Sequence, residues 1–219
     1  MTTGGRPPVV TEVDALARAA VLGRAGGRHL LGITGAPGAG KSTLAAHVVA
    51  AVAPRAVLVP MDGFHLAQAE LVRLGRADRK GAPDTFDAPG FVALLRRLRR
   101  QAPGPGVAGE VVYAPHFARA VEESVAGAVP VAADVPLVVI EGNYLLHDDG
   151  AWARVGPLLD ECWFVEVDDA LRVERLVSRH VAFGRTPAAA RDWVLRSDEA
   201  NARVVVGTRR RATAVVRPA

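Results

Sequence analysis

The sequence predicts an α/β fold in which a parallel sheet is covered by helices on both faces. Short apolar runs of strand length alternate with longer segments of helical length along the 219-residue chain. Nearly continuous apolar runs are typical of strands buried on both faces, as in parallel sheets. No linker between domains is visible, so we expect one domain over residues 1–219.

Most of the predicted strands are short runs rich in Val, Leu or Ile. HLLGIT precedes a glycine-rich turn, and PLVVI is the clearest buried run. Pro60 is expected near the end of its strand, because proline cannot donate a hydrogen bond to a neighbouring strand. The predicted strands are 29–34, 56–61, 110–113, 136–140, 162–167 and 213–216.

Helices are predicted from their length and from their end signals. Thr11 is a predicted N-cap with Gly23 as a stop, and Thr186 and Pro187 are the predicted N-cap and first residue of another helix. A Pro- and Gly-rich loop is expected at 101–109. The predicted helices are 11–23, 41–53, 66–74, 91–100, 170–183 and 186–204.

Composition excludes several classes of protein. The formal net charge is +4, and only two of the 27 basic residues are lysines, Lys41 and Lys80. No apolar run is long enough for a membrane span and no signal peptide is visible. A single cysteine, Cys162, excludes an internal disulfide framework and a multi-cysteine zinc site. We therefore expect a cytoplasmic protein without a membrane partner, and a homodimer stays open.

A phosphate-binding loop is predicted at residues 35–42, which read GAPGAGKS and match GxxxxGKS. The glycines let backbone N–H groups surround phosphate oxygens, and the following helix presents its positive end to the same anion. The lysine reaches the β- and γ-phosphates, and the serine hydroxyl ligates Mg²⁺. The predicted ATP-binding residues are Gly35, Ala36, Pro37, Gly38, Ala39, Gly40, Lys41, Ser42 and Thr43.

Two acidic residues directly follow predicted strands, where parallel α/β sheets bind ligands. Asp62 follows AVLVPM, and Glu141 follows PLVVI. Phosphoryl transfer to a hydroxyl needs one acid on the Mg²⁺ side and one that accepts the hydroxyl proton. We assign Asp62 as the catalytic base and Glu141 as the Mg²⁺-side acid. An exchange of these roles, or simple helix capping, stays open.

Together with the phosphate loop, the segments MDGFHL, RKGAPDTFD and VVIEGNYLL resemble the uridine kinase, pantothenate kinase and phosphoribulokinase group. Within it the chain looks most like nucleoside/nucleotide kinase family or fructose-transport-type kinases. The resemblance implies a P-loop NTPase three-layer fold with a five-stranded parallel sheet and a helical lid at about 172–186. It also implies phosphorylation of a small-molecule hydroxyl by MgATP. In this group the acid in the place of Asp62 is the base.

The acceptor side is less defined by the sequence. The segment PDTFD resembles one that lies beside the acceptor, but Gly63 stands where uridine kinases have Ser. The uridine pocket is therefore not reproduced, and nucleoside, pantothenate-like and sugar acceptors stay open. The candidate acceptor contacts are His65, Lys80, Asp84, Tyr113 and Arg119.

An arginine-bearing helix is the predicted lid. Arg172, Arg175 and Arg179 are spaced to share one helix face, and Arg185 follows a glycine. Guanidinium groups stabilise the charge of a migrating phosphoryl group. Arg179 and Arg185 are the best candidates for this catalytic role, and a solvated helix face is the alternative.

These features predict an ATP-dependent small-molecule kinase that uses ATP and Mg²⁺. One alternative is an ATP-binding regulatory protein without an acceptor reaction, and another is a polynucleotide kinase. The arginine cluster at 96–100 has no interleaved aromatic residues, so we expect no nucleic-acid partner.

Overall fold

The computed structural model describes residues 6–101 and 110–218, so residues 102–109 of the predicted loop lie outside it. The strands are Val9–Thr11 (β1), His29–Thr34 (β2), Ala56–Pro60 (β3), Val112–Ala118 (β4), Glu123–Val131 (β5), Leu137–Glu141 (β6), Glu161–Val165 (β7) and Ala214–Arg217 (β8). The helices are Glu12–Leu22 (α1), Lys41–Val52 (α2), Gln68–Arg73 (α3), Ala88–Arg100 (α4), Asp169–Ala182 (α5), Pro187–Trp193 (α6) and Glu199–Val206 (α7).

The main sheet is parallel, in the order β1-β8-β7-β2-β6-β3, which confirms the α/β class. The expected count of five strands is too low by one. The additional strand is β1, whose Val9 is in register with Val215 of β8 at the sheet edge. Three residues are too few for a recognisable apolar pattern, so β1 was missed.

The two faces of the sheet carry separate apolar cores. Alternate residues of the central strands point to opposite faces, as the pleat requires. Leu30 of β2 joins the core under α4, whereas Leu31 joins the core under α1 and α2. Both side chains are fully buried, which explains the continuous apolar runs of the sequence. The fold therefore has three layers, with the sheet in the middle.

The predicted strand at 110–113 overlaps only the first two residues of β4, which continues to Ala118. β4 pairs antiparallel with β5 in a separate two-stranded sheet. Most of β5 is partly or fully exposed, so no apolar run marks it in the sequence. This hairpin lies outside the main sheet, and its β4 strand carries the candidate acceptor residue Tyr113, with Arg119 directly after the strand.

Helix boundaries follow local capping chemistry. The Thr11 side chain accepts a hydrogen bond from the Asp14 backbone in a capping box, as predicted for the start of α1. α4 begins at Ala88, three residues before the predicted start, because Asp87 caps it by accepting from Gly90 N at 2.9 Å. The predicted helix 186–204 is present as α6 and α7 joined by a π-helical turn over Val194–Asp198.

β2, β3, β6 and β7 run parallel, so their carboxyl ends all lie along the same side of the sheet, at right angles to its outermost strands. The phosphate loop follows β2 on this side. The two strand-end acids follow β3 and β6 there. Among the described residues, none of the helices combines the length and hydropathy needed to cross a membrane.

Candidate active site

The phosphate loop joins the end of β2 to the first residue of α2, which is the strand–loop–helix context that the motif requires. Gly40 directly precedes α2 in a left-handed conformation. The first backbone N–H groups of a helix have no intrahelical partner, so those of α2 are available to an anion at the loop.

Lys41 is buried, and its Nζ donates to the Ala36 carbonyl at 3.1 Å. Burial lowers the pKa of this ammonium group, while Glu141 and Asp62 oppose the shift by favouring its charged form. Ser42 and Thr43 are exposed in the first turn of α2. The lysine is thus held inside the loop, and the two hydroxyl-bearing residues face solvent.

The two strand-end acids come from neighbouring strands. Pro60, two residues before Asp62, is in register with Glu141 across the β3–β6 pair. Backbone contacts tie the Glu141 turn to β2, since Gly142 N donates to the Ile33 carbonyl at 3.1 Å. The two carboxylates are therefore brought together beside the phosphate loop.

The surroundings of the two acids differ. Glu141 is 7% exposed, and burial raises its pKa to about 7, with Lys41 opposing and Asp62 reinforcing the shift. The side chain of Asp62 is 34% exposed, so a solvent-borne molecule can reach it. One carboxyl is enclosed with the lysine, and the other opens to the cleft.

The turn that carries Asp62 is packed against the hairpin. A Cβ on Gly63 would lie 2.3 Å from the Pro115 carbonyl oxygen, so only glycine allows this approach. This contact explains why Gly63 follows the acid, and it places β4 over the carboxylate.

Two arginines from different segments converge on these acids. Arg119, just after β4, has its Nη2 3.7 Å from Asp62 Oδ2. Desolvation in the cleft lowers the pKa of Arg179 on α5, and Arg119 adds repulsion. Asp198, Asp62 and Glu141 attract the same guanidinium. The site therefore combines the two carboxylates with the cationic groups of Lys41, Arg119 and Arg179, which come from α2, from the segment after β4 and from α5.

Comparisons with known proteins agree with this geometry, although no family model matches the chain. The chain is 37% identical over 155 residues to the ATP-dependent kinase-like protein notR' of Aspergillus versicolor, covering 68% of this chain and 88% of that protein. It is 32% identical over 187 residues to a Schizosaccharomyces pombe protein with the provisional name uridine kinase, covering 81% and 77%.

A solved structure is similar over nearly the whole chain. It comes from Silicibacter sp. TM1040 and carries the provisional name fructose transport system kinase. The TM-score is 0.81 at 37% identity, with 92% of this chain and 97% of that chain covered. This chain belongs to the P-loop kinase family that includes uridine and pantothenate kinases.

The other predicted lid residues of this kinase lie apart from the carboxylates. Arg185 is exposed and stacks on α6, with its guanidinium carbon 4.3 Å from the centre of the Trp193 ring. Arg172 is buried against the phosphate loop. Arg179 is exposed, and of these three it is the one on which the charges of Asp62 and Glu141 act.

His65 is enclosed between two aromatic rings. Its ring centre lies 4.0 Å from that of Phe86 and 4.8 Å from that of Phe117. Its Nδ1–H donates to the Asp62 carbonyl at 2.8 Å. Burial lowers the pKa of His65, which favours the neutral imidazole. The histidine therefore joins the Asp62 turn and the hairpin to the acceptor loop, the name we give to residues 74–87 between α3 and α4.

Lys80 and Asp84 are engaged within the acceptor loop and its surroundings. Lys80 Nζ donates to the Glu122 carbonyl at 2.9 Å and lies 5.1 Å from the centre of the Phe117 ring. Asp84 accepts from Arg79 at 2.9 Å, which lowers the pKa of its carboxyl. Tyr113, on the outer part of β4, is 55% exposed. Of these three, the structure brings Lys80 next to the Phe117 and His65 rings.

Sequence reasoning missed two aromatic residues that hold the acceptor loop. The Tyr144 hydroxyl donates to the Gly81 carbonyl at 2.6 Å, and Trp152 Nε1 donates to the Pro83 carbonyl at 3.1 Å. Both side chains are buried. No spacing in the sequence links them to residues more than sixty positions earlier, so only the fold reveals these contacts.

A groove of about 440 Å³ beside the first half of α5 was also missed. One wall comes from the start of α5, including Arg175, and the other from the chain end after β8. Glu166 lies at the groove and is held by Arg209 and Arg217. The residues that line the groove are Glu166, Val167, Asp168, Leu171, Arg175, Arg217 and Pro218.

Proposed function

We propose that this P-loop kinase transfers the γ-phosphate of MgATP to a hydroxyl group of a small metabolite. The observation that carries the proposal is the meeting of Asp62 and Glu141 with Lys41 at the end of the sheet. A phosphate loop alone serves many reactions. A second carboxylate that opens to the cleft adds the acid–base function that an acceptor reaction needs.

Asp62 is the proposed base that accepts the proton of the attacking hydroxyl. It is the more accessible of the two acids, and an acceptor can reach it from the cleft. Arg119 is close enough to orient the carboxylate or the acceptor. Such general-base catalysis contributes about 10²–10⁴-fold to a rate.

The donor set near the loop fits Mg²⁺. Ser42 offers a hydroxyl, Glu141 offers a carboxylate, and oxygen ligands of this kind are those that Mg²⁺ prefers. When bound with ATP, the ion would neutralise charge on the phosphate oxygens. Ser42 and Glu141 are the residues that we propose to hold it.

Lys41 and Arg179 are the proposed stabilisers of the migrating phosphoryl group. Lys41 donates to a carbonyl of the loop, and the charges of Asp62 and Glu141 act on Arg179 of α5. Arg185 would have to leave the Trp193 ring before it could contribute. We therefore rank Arg179 above Arg185 in this role. The proposed lid of about 172–186 would move mainly in its second half, because Arg172 and Leu176 are buried.

The acceptor is proposed to lie between the Asp62 turn and the hairpin. His65, Lys80 and Arg119 border this region, while Asp84 and Tyr113 lie further out as candidate contacts. Nucleoside, pantothenate-like and sugar hydroxyls all fit this chemistry. The groove beside Arg175 is the proposed place of the nucleotide base, because Arg175 Nη1 would lie 3.7 Å from a Cβ on Gly40 of the phosphate loop.

An ADP-release screen tests the proposal. Purified protein with MgATP is offered nucleosides, sugars, pantothenate and vitamin precursors in turn. We expect one chemical class to stimulate ADP release, and Lys41→Met to abolish that stimulation. If the protein binds ATP but no acceptor stimulates turnover, the regulatory alternative replaces this proposal.

A further inference from the structure

Arg172 lies in the first turn of α5, and its side chain is 3% exposed. Burial of a guanidinium group is costly unless all its N–H groups find partners. This arginine therefore has a specific set of contacts.

The three guanidinium-group nitrogens of Arg172 contact three different acceptors. Nε donates to Asp169 Oδ1 at 3.0 Å, and Nη2 donates to Glu199 Oε1. Nη1 donates to the backbone carbonyl of Pro37 at 3.3 Å, inside the phosphate loop. The planar fork thus ties α5 and α7 to the loop backbone.

The contact with Pro37 determines where the next backbone N–H points. In a trans peptide the C=O and the following N–H point in opposite directions. Because the Pro37 carbonyl faces Arg172, the Gly38 N–H points the opposite way, away from that guanidinium group. The preceding carbonyl, of Ala36, instead accepts from Lys41. This orientation leaves no backbone N–H without a partner on the opposite side of the peptide, because Pro37 has no N–H.

The same helix also fixes the loop sterically. Gly38 has φ +80°, and a Cβ there would lie 2.8 Å from both the Arg172 carbonyl oxygen and Leu176 Cγ. At Gly38 the loop is therefore packed so closely against α5 that no side chain fits there. Hydrogen bonding and packing act on the same two residues, Pro37 and Gly38.

We infer that Arg172 is a positioning residue for ATP, which orients the Gly38 N–H toward a phosphate oxygen by holding the Pro37 carbonyl. Glu199 supports it by fixing the second arm of the fork. The inference rests on the proposed ATP site, and it gives Arg172 a role different from that of Arg179 at the acids.

A purely structural ion pair is the competing explanation, and a double variant separates the two. Replacing both partners of a buried ion pair by apolar residues is often neutral for stability. Arg172→Met/Glu199→Leu therefore restores apolar packing without restoring the contact to Pro37. Arg172→Lys keeps a positive charge for Glu199, but an ammonium lacks the fork that reaches two acceptors in one plane. Arg191→Met, on the exposed surface of α6, is the matched control.

MgATP binding by calorimetry is measured for each folded variant, together with the KM for ATP and for the acceptor. We expect the double variant and Arg172→Lys to keep a normal melting temperature within a few degrees. Their Kd for MgATP should rise about tenfold, the size expected when a charged hydrogen bond is lost. The KM for ATP should rise in parallel, the KM for the acceptor should stay constant, and Arg191→Met should change none of these values.

Unaltered MgATP affinity in either Arg172 variant would overturn the inference and leave the proposed kinase reaction in place. Absence of MgATP binding by the unaltered protein would instead remove the proposed ATP site, and the inference with it. The two failures are therefore distinguishable within one series of titrations.

Discussion

The nucleotide side and the acceptor side of the site are built in different ways. The phosphate loop is one continuous segment, 35–42, whose backbone is the proposed binding surface. The acceptor side is assembled from the Asp62 turn, the loop around Gly81 and the β4–β5 hairpin. A contiguous backbone site leaves a motif in the sequence, whereas an assembled side-chain site depends on tertiary contacts. The two sides should therefore respond differently to substitution.

The largest expected effect is on the acceptor side, at Asp62. Asp62→Asn keeps the shape of the side chain and removes the proton acceptor. We expect kcat to fall by about 100-fold or more while MgATP binds normally. Steady-state kinetics and calorimetry check this expectation. Asp78→Asn, an equally conservative change at a side chain that is 72% exposed, should leave both values unchanged. Near-normal turnover of Asp62→Asn would remove the base assignment.

The next effect is on the nucleotide side, at Gly38. Gly38→Ala puts a Cβ 2.8 Å from the Arg172 carbonyl oxygen, so the loop must shift. We expect MgATP affinity to fall about tenfold or more, the size of one lost hydrogen bond to a charged group. Gly75→Ala is the control, because φ is +65° but no atom lies within 4 Å of the added Cβ. Equal losses of affinity in both variants would show that backbone strain alone, not the contact with α5, governs the loop.

The arginines of α5 show what helical spacing predicts and what it does not. The i, i+3, i+7 pattern correctly placed Arg172, Arg175 and Arg179 on one helix. Spacing fixes the direction of a side chain around the axis but not its neighbours along the helix. The first arginine is buried under the loop, the second lines the groove, and the third is exposed within reach of the charges of the two acids. One predicted face therefore divides into three environments.

The alternation of buried strands and helices predicted the fold class because a two-face-buried strand needs an uninterrupted apolar run. The same criterion missed β1, which is too short, and β5, which is largely exposed. On the acceptor side, the sequence predicted that Lys80 and Asp84 contact the acceptor, and this stays a prediction. Both have partners in the fold that no local pattern reveals. Composition and periodicity predict which residues are buried, but they do not predict which polar groups form hydrogen bonds with each other.

A smaller effect is expected at Tyr144, which supports the acceptor loop. Tyr144→Phe leaves the Gly81 carbonyl without the 2.6 Å hydrogen bond from the hydroxyl. We expect the free energy of unfolding to fall by about 1–2 kcal/mol, because a buried acceptor loses its partner. The KM for the acceptor should rise several-fold at unchanged MgATP affinity. Tyr113→Phe, at an exposed position, is the control for the free energy of unfolding only. A loss of ATP affinity in Tyr144→Phe would contradict the separation of the two sides.

The smallest effect is expected at Glu166, on the nucleotide side, and it depends on pH. The hydrogen bond from Arg209 is the main cause that lowers the pKa of this carboxyl, and Arg217 adds to it. A carboxyl whose pKa is lowered on folding stabilises the folded state at pH values above its ordinary pKa of 4.5. This stabilisation is lost as the pH falls through the lower pKa of the folded state. Glu166→Gln should therefore lower the free energy of unfolding at pH 7 by at most about 1 kcal/mol, the usual size for a partly exposed ion pair.

Denaturant titrations should show the difference between Glu166→Gln and the unaltered protein shrinking below pH 4.5, whereas Glu174→Gln, exposed on α5, should show no such trend. A difference that persists in acid would mean that Glu166 acts through packing at the groove and not through its charge.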